Sequence, residues 1–256
     1  MEKRDLPVAV FDSGVGGISV LRELVRLMPR ENYHYFGDSI HAPYGTKQPE
    51  EIRRLTLENV ARLEKKGMKA LVVACNTATS TAIGALRETY TDIPVVGIEP
   101  AVKPAVMEKD HPKVLVLATP MTVQGAKFQN LLERFAGQAS MIPVGCPGLM
   151  EFVEAGKLEG PELEAYLRNL LHPYLSGGID AVVLGCTHYP FLKKTIARVL
   201  GEGPHILDGS EGTARELKRR LTEADLLTKR PEQGQVVFEE SVPEKIGLCR
   251  YLLNYT

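Results

Sequence analysis

The chain has 256 residues, of which 44% are hydrophobic and 25% are charged, and its formal net charge at pH 7 is −1. This length can bury one large core or two smaller ones, and the charge balance provides neither a basic field for nucleic acid nor an acidic tail. No apolar run approaches the roughly 20 residues that span a bilayer, and the first residues lack the apolar segment of a secretory signal. We therefore expect a cytoplasmic protein without nucleic-acid or membrane partners.

Short β-branched runs alternate along the chain with longer amphipathic stretches, which is typical of parallel sheets covered by helices. The predicted strands, in chain order, are 8–11, 33–36, 70–74, 95–98, 114–118, 139–144, 181–184 and 205–207. The predicted helices are 17–27, 50–66, 79–90, 122–135, 161–175, 192–200 and 212–222, followed by a small strand at 235–240 and a closing helix near 245–253. In helix 50–66 the apolar residues recur at helical spacing, and Gly67 predicts its C-terminal end.

Two stretches of the sequence repeat one pattern. KALVVACNTATSTAI (69–83) and IDAVVLGCTHYPFLK (179–193) each contain an apolar strand, a small residue, a cysteine and a helix. The interval that separates Cys75 from Cys186 also relates PVVGIE (94–99) to HILDGS (205–210), and VAVFDSG (8–14) matches VLVLATP (114–120) at a slightly shorter interval. Two α/β halves of similar construction are the simplest explanation, and one larger doubly wound sheet is the alternative.

Short polar groups follow the predicted strands where helices begin. They are Asp12-Ser13, Gly37-Asp38, Cys75-Asn76-Thr77, Thr119 and Cys186-Thr187-His188. Ligands of open α/β sheets bind at these carboxyl ends, and the helix N-termini there favour an anion such as a carboxylate. The loop DSIHAPYGTK (38–47) can bring Tyr44 and the backbone of Gly45 to the same edge.

The segment FDSGVGGISV (11–20) raises the alternative of a dinucleotide-binding turn in a nucleotide-dependent oxidoreductase. That fingerprint needs a third glycine, where Ser19 stands, and a later acidic residue, for which Asp38 is a candidate. Asp12 would repel a pyrophosphate at the end of the first strand, and no Gly-Lys-Ser/Thr follows for a P-loop. We interpret the glycines as a tight turn with close strand–helix packing, which leaves Asp12 and Ser13 available.

The four cysteines form no CxxC pair and no zinc-finger spacing, so we interpret them as thiols. Cys146 and Cys249 are typical of buried, inert positions, whereas Cys75 and Cys186 occupy the same position in the two repeats. A cysteine at a helix N-terminus can have its pKa lowered from about 8.5 to about 3.5–7.5, which suits proton transfer in either direction. Metal binding through Cys186 and His188 and a redox disulfide remain alternatives, but no complete tetrahedral ligand set is found and no metal is predicted.

Two thiols in two similar halves suit the inversion of a stereocentre. One group removes a proton from one face, the other returns a proton to the opposite face, and the roles exchange for the other enantiomer. Asn76, Thr77, Thr187 and the helix N-termini are candidates to stabilise the carbanion through the substrate carboxylate. We predict an enzyme that uses no cofactor. A pyridoxal-phosphate lysine is not excluded by sequence, and a non-catalytic amino-acid-binding module is the alternative that the doubled cysteine disfavours.

The segments VFDSGVGG, YFGDSIHAPYG, ACNTATSTA and GCTHYP, in this order, resemble the cofactor-independent glutamate racemases of bacteria. The resemblance runs from Val8 to about Arg215. It implies two α/β domains with mainly parallel sheets, 1–98 plus 208–256 and 99–207, related by a pseudo-two-fold axis with the active site in the cleft between them. Related aspartate racemases resemble the chain less and usually carry a glutamate where His188 stands. The resemblance therefore favours glutamate, and it implies an isomerase that supplies D-glutamate for peptidoglycan and assembles as a homodimer.

The resemblance also assigns site residues. Cys75 and Cys186 match the cysteines that accept and donate the proton in turn, Asp12 matches the acidic residue near the first cysteine, and His188 matches the histidine next to the second. Glu154, in CPGLMEFVEAG, matches a carboxylate that assists the second thiol, and Glu151 is its near alternative. The residues that match substrate-binding positions are Asp12, Ser13, Tyr44, Gly45, Asn76, Thr77, Thr187 and His188.

Overall fold

The structure, a computed structural model, describes residues 2–175 and 177–255, and for Lys127 it describes the backbone only. Residues 1, 176 and 256, which the predicted domain ranges include, lie outside the described residues. The chain divides into two compact units. The first extends to Glu99 and resumes at Ser210, and the second is Pro100–Gly209.

Nine strands and eleven α-helices alternate through the described residues. The strands are β1 (Val8–Asp12), β2 (Tyr33–Gly37), β3 (Ala70–Val73), β4 (Val95–Gly97), β5 (Lys113–Ala118), β6 (Ser140–Gly145), β7 (Ala181–Leu184), β8 (His205–Asp208) and β9 (Val236–Glu240). The helices are α1 (Ile18–Leu27), α2 (Pro49–Lys65), α3 (Asn76–Thr89), α4 (Val102–Val106), α5 (Pro120–Gln124), α6 (Ala126–Glu133), α7 (Leu149–Glu154), α8 (Pro161–Leu171), α9 (Lys193–Leu200), α10 (Ser210–Glu223) and α11 (Ile246–Asn254). Within the described ranges, none of these helices has both the length and the apolar character needed to cross a membrane.

The first unit is built on a five-stranded sheet with the spatial order β4-β3-β1-β2-β9, in which every pairing is parallel. All residues of β1, β2 and β3 are buried. Parallel strands that helices cover on both faces have this continuous burial, which explains why they appear in the sequence as unbroken apolar runs.

The second unit repeats this topology with four parallel strands in the order β6-β5-β7-β8. Read from the other edge, β8-β7-β5-β6 corresponds to β4-β3-β1-β2. The register agrees as well, because Leu71 pairs with Val95 and the equivalent residues of the second repeat, Val182 and Ile206, pair in the same way. Helices α4 and α6 pack against β5 and β7 in one buried apolar cluster. The prediction of two similar α/β halves with parallel sheets is confirmed, and the alternative of one larger sheet is wrong.

Helix α2 shows how the local sequence sets an element. Its buried positions recur every three or four residues and are Ile52, Leu55, Thr56, Asn59, Val60 and Leu63. Pro49 occupies the first turn, where its missing N–H costs nothing. Gly67 follows the helix at a φ of +84°, a left-handed conformation that glycine adopts without strain. The predicted C-terminal end at Gly67 is confirmed.

Two predictions of helices need correction, and two short helices were not predicted. The helix expected at 122–135 is two helices, because the backbone is extended at Gly125, with φ −70° and ψ 134°. Helix α3 begins at Asn76, three residues before the predicted start, because Cys75 caps it. Helices α4 and α7 were not predicted, since their five and six residues complete too few turns to show a helical period.

Candidate active site

Cys75 and Ser13 meet at the carboxyl edge of the first unit's sheet. We call Asp12, Ser13 and Cys75 the first cysteine cluster. Ser13 Oγ lies 3.4 Å from Cys75 Sγ, and the Ala78 N–H donates to the same sulfur at 3.4 Å. Cys75 is the residue that caps α3, and it is 5% exposed. The hydroxyl and the helix N-terminus both stabilise a thiolate relative to a thiol.

Asp12 is fully buried at the end of β1, and its Oδ1 accepts a hydrogen bond of 2.9 Å from the Gly14 N–H. A β-carbon at Gly17 would lie 2.6 Å from Asp12 Cβ and 3.0 Å from Ala74 Cβ, so only glycine lets α1 begin this close to the two strands. The Gly14 N–H that a phosphate turn would present to its ligand is used by Asp12. This geometry supports the interpretation of the glycines as a packing turn.

Loop 38–47 places Tyr44 close enough to Cys75 for a charge on the sulfur to act on the Tyr44 hydroxyl. The Tyr44 ring is 1% exposed, and its hydroxyl donates to Asp38 Oδ2 at 2.7 Å. Burial, the hydrogen bond and charge of Asp38, and the charge of Cys75 raise the pKa of Tyr44 well above its usual value, so it remains a phenol. Gly45 is buried next to it. The Asn59 amide also donates to Asp38, at 3.0 Å.

Asn76 and Thr77 form the first turn of α3, and they are 7% and 3% exposed. Within the described part of the chain, no group donates a hydrogen bond to the Asn76 side-chain oxygen. A buried acceptor without a donor is costly in a folded protein, and it is typical of a position that a ligand completes.

The second unit holds the second cysteine cluster, which comprises Cys186, His188 and Glu154. Cys186 Sγ lies 3.6 Å from His188 Nδ1, and His188 Nε2 lies 2.7 Å from Glu154 Oε1. The His188 and Glu154 side chains are 2% and 10% exposed. Because Glu154 is the last residue of α7, this unpredicted helix is the element that delivers the carboxylate to the imidazole.

Burial acts to lower the pKa of His188, but the hydrogen bonds and charges of Cys186 and Glu154 outweigh it and raise that pKa well above 6.5. His188 therefore binds a proton more readily than a free imidazole does. His188 Nδ1 lies 3.6 Å from the Cys186 sulfur, so the ring is placed to exchange a proton with that sulfur.

The other two cysteines lie in different surroundings. Burial, together with the charge of Cys186, raises the pKa of Cys146 to about 12, so it remains a thiol at neutral pH. Cys249 is fully buried, and its S–H points to Glu240 Oε1 at 3.5 Å. The four cysteines are thiols and not disulfides. Across the described ranges, no group of three or more histidine, cysteine or carboxylate side chains is arranged to hold a metal ion.

The structure thus collects the predicted residues into two groups. In the first unit it places Asp12, Ser13, Tyr44, Gly45, Cys75, Asn76 and Thr77 at the carboxyl edge of the sheet. In the second unit it joins Glu154, Cys186 and His188 through hydrogen bonds. Thr187, which lies between the cysteine and the histidine in the sequence, is also buried. Glu151, the alternative to Glu154, is exposed.

Sequence reasoning missed two features. The support of Asp38 by Asn59 had only a faint signal, a polar residue within the apolar face of α2. Thr119 occupies the strand-end position that Ser13 occupies in the first unit, and it caps α5 by accepting the Thr122 N–H at 3.3 Å. The match of VAVFDSG to VLVLATP pointed to the position of Thr119 but not to its capping role.

Comparison with known proteins gives consistent matches. The family model described as Asp/Glu/Hydantoin racemase matches residues 11–217. A glutamate racemase of Clostridium perfringens is 50% identical over 242 residues, which cover 94% of this chain and 93% of that protein.

Solved structures show the same likeness. A glutamate racemase isoform from Bacillus anthracis has a TM-score of 0.88 at 33% identity, and the match covers 98% of this chain and 95% of that one. The Escherichia coli glutamate racemase, solved in complex with L-glutamate and the activator UDP-MurNAc-Ala, has a TM-score of 0.85 at 33% identity, with the same shares covered.

Proposed function

We propose that this chain, which belongs to the Asp/Glu/Hydantoin racemase family, interconverts L- and D-glutamate by moving the α-proton without a cofactor. The Clostridium perfringens relative is a glutamate racemase that matches nearly the whole chain, and the Escherichia coli neighbour was solved with L-glutamate. The observation that supports this mechanism is the presence of two buried thiols, each next to a group that can activate it. Cys75 has Ser13 and a helix N-terminus, and Cys186 has His188.

The reaction needs two groups in complementary protonation states, and we assign these to Cys75 and Cys186. One cysteine, as a thiolate, takes the α-proton and becomes a thiol, which leaves the electron pair of the broken C–H bond on the α-carbon. The other cysteine, as a thiol, gives its proton to the opposite face of that carbon and becomes a thiolate. The configuration is inverted with no net gain or loss of protons, and the reverse reaction exchanges the two roles.

The neighbours of each thiol serve this exchange in different ways. In the first cysteine cluster, the Ser13 hydroxyl and the Ala78 N–H stabilise the thiolate, and we assign Asp12 to assist proton transfer there. In the second cluster, Glu154 accepts the Nε2–H of the imidazole, which directs Nδ1 toward the sulfur. In one direction His188 can supply the proton that Cys186 gives to the α-carbon, and in the reverse direction it can accept the proton that Cys186 removes.

The remaining polar residues are suited to bind the charged groups of the substrate. The Asn76 side-chain oxygen, buried without a donor, suits the α-ammonium, and the backbone N–H groups at the strand ends suit a carboxylate. We assign substrate binding to Asp12, Ser13, Tyr44, Gly45, Asn76, Thr77, Thr187 and His188.

The first test is incubation of the purified protein with L-glutamate in D2O without added cofactor. We expect the α-proton signal to decay in the NMR spectrum while the circular dichroism of the sample falls toward zero. Exchange with aspartate but not glutamate would keep the mechanism and change the substrate. Glutamate binding without exchange would identify a binding module instead of an enzyme.

The second test separates the two assigned thiols from the others. Cys75→Ala and Cys186→Ala should each reduce turnover about 100-fold or more, because each removes a group that transfers the proton. Cys146→Ala is the matched control, since this buried thiol has a pKa of about 12 and should not act as a base. Racemisation at the wild-type rate by either of the first two variants would contradict the two-base assignment.

We further propose, from the resemblance, that the protein is a cytoplasmic homodimer that supplies D-glutamate for peptidoglycan. Sedimentation equilibrium at micromolar concentration measures the assembly state. Expression in a bacterial strain that requires added D-glutamate tests the supply role, because growth without the supplement needs racemase activity inside the cell.

A further inference from the structure

The C-terminal part of the chain, to which the sequence assigned no role, contacts the start of loop 38–47. Glu240 ends β9 and Ser241 follows it, and we call these two residues the tail clamp. The Ser241 N–H donates to the Gly37 carbonyl at 3.0 Å, and the Ser241 hydroxyl oxygen accepts the Ile40 N–H at 2.8 Å. These contacts join distant parts of the chain, because β2 and β9 are neighbouring strands of the sheet.

Glu240 adds a steric contact to the tail clamp. Its side chain is 6% exposed, and a β-carbon at Gly37 would lie only 2.0 Å from its Oε1. The carboxylate therefore packs directly on the backbone at the point where β2 ends and the loop begins. Only glycine at position 37 permits this approach.

The Ile40 backbone depends on this contact because little else holds it. The Ile40 side chain is 63% exposed, so apolar burial does not fix it. It lies in the 3₁₀ turn Ser39–His41, which is closed by single hydrogen bonds of 3.1 Å and 3.2 Å. Without the Ser241 oxygen, the Ile40 N–H would have to find water.

The same loop carries Tyr44 and Gly45 after its first turn. Asp38, one residue beyond the clamped Gly37, accepts the Tyr44 hydroxyl at 2.7 Å and contacts His41 Nδ1 at 2.9 Å. A displacement of the first turn would therefore move Asp38 and, through its hydrogen bond, Tyr44. The Tyr44 hydroxyl is in turn close enough to Cys75 for a charge on the sulfur to act on it.

We propose that the tail clamp positions loop 38–47 for substrate binding and that Ser241 is its positioning residue. This proposal rests on the proposed function. It gives the C-terminal strand a role in the affinity for glutamate, with no part in the proton transfer itself.

The test compares Ser241→Ala with Ser241→Thr, which retains the hydroxyl. Loss of one hydrogen bond to the loop should raise the KM for L- and D-glutamate about three- to tenfold. The kcat should stay within about twofold, because the clamp acts equally on the ground state and the transition state. Amide hydrogen exchange at Ile40 should become faster in Ser241→Ala and return toward the wild-type rate in Ser241→Thr.

Thr228→Ala is the matched control, because it also deprives a backbone amide of its side-chain acceptor. Thr228 Oγ1 accepts the Arg230 N–H at 3.3 Å in the same tail, in the segment that precedes β9. We expect Thr228→Ala to lower the melting temperature about as much as Ser241→Ala does, but to leave the KM for glutamate unchanged. A wild-type KM in Ser241→Ala, or an equal KM increase in Thr228→Ala, would overturn the proposal.

These outcomes are distinct from failure of the proposed function. If the wild-type protein does not exchange the α-proton of glutamate, the proposed function fails. The wild type and the two variants are then compared by their dissociation constants for L-glutamate, measured by calorimetry, in place of KM. A weaker affinity in Ser241→Ala alone would still support the clamp. An unchanged affinity would refute it.

Discussion

Replacing Glu154 by glutamine should weaken proton binding by His188. The carboxylate oxygen lies 2.7 Å from Nε2, and the two side chains are 10% and 2% exposed, so water screens their interaction little. A hydrogen bond to a charged group contributes about 1.5–3 kcal/mol, and about 1.36 kcal/mol corresponds to a factor of ten. The proton affinity of His188 should therefore fall by about 10- to 100-fold. Turnover should fall most in the direction that uses Cys186 as the base.

The direct assay is an NMR titration of the imidazole, with the His188 signal assigned by its absence in His188→Gln. Glu151→Gln is the matched control, because Glu151 is a carboxylate on the same helix, α7, that is exposed to solvent. We expect the His188 titration to move to lower pH in Glu154→Gln and to stay in place in Glu151→Gln. An unchanged titration in the first variant, or an equal displacement in the second, would refute the reasoning.

The same interaction predicts a dependence of stability on pH. The pKa of His188 is raised in the folded state above its ordinary value of 6.5. Its contribution to stability is therefore fully present below that value and is lost as the pH rises through the raised pKa. The melting temperature of the wild type should exceed that of Glu154→Gln most at about pH 6, and the difference should decrease toward alkaline pH.

Two further predictions concern the framework of the first unit. Lys69→Met should lower the free energy of unfolding by roughly 3–5 kcal/mol in urea titrations, because Lys69 and Glu31 form a buried ion pair of 2.5 Å and the carboxylate would remain without its cation. A loss below about 1 kcal/mol would show that the pair is not effectively buried. Gly17→Ala should cost about 1–3 kcal/mol and reduce turnover, because its β-carbon would lie 2.6 Å from Asp12 Cβ. Gly212→Ala in α10 is the control with open space around it, and it should not destabilise the protein.

Much of the fold could be predicted because it depends on local pattern. Unbroken apolar runs such as β1 and β3 indicated strands covered on both faces, and the apolar spacing of α2 indicated its buried side. The repeat that contains Cys75 and Cys186 indicated that the two units share one topology. The pairing of β3 with β4 and that of β7 with β8 have the same register, as this repeat implies. The break at Gly125 could not be predicted, because glycine is permitted within a helix and only the local packing decides whether the helix continues.

The sequence alone establishes which chemical groups stand at the strand ends, because a polar residue that follows an apolar run is visible in one dimension. It thereby selected Cys75 and Cys186 and the residues next to them. The distant groups that meet these residues become apparent in the folded chain. Glu154 reaches His188 across 34 positions, Asn59 reaches Asp38 across 21, and Ser241 reaches Ile40 across 201. Such pairs leave no periodic trace in the sequence, because they are set by the order of strands in a sheet and the ends of helices packed on it.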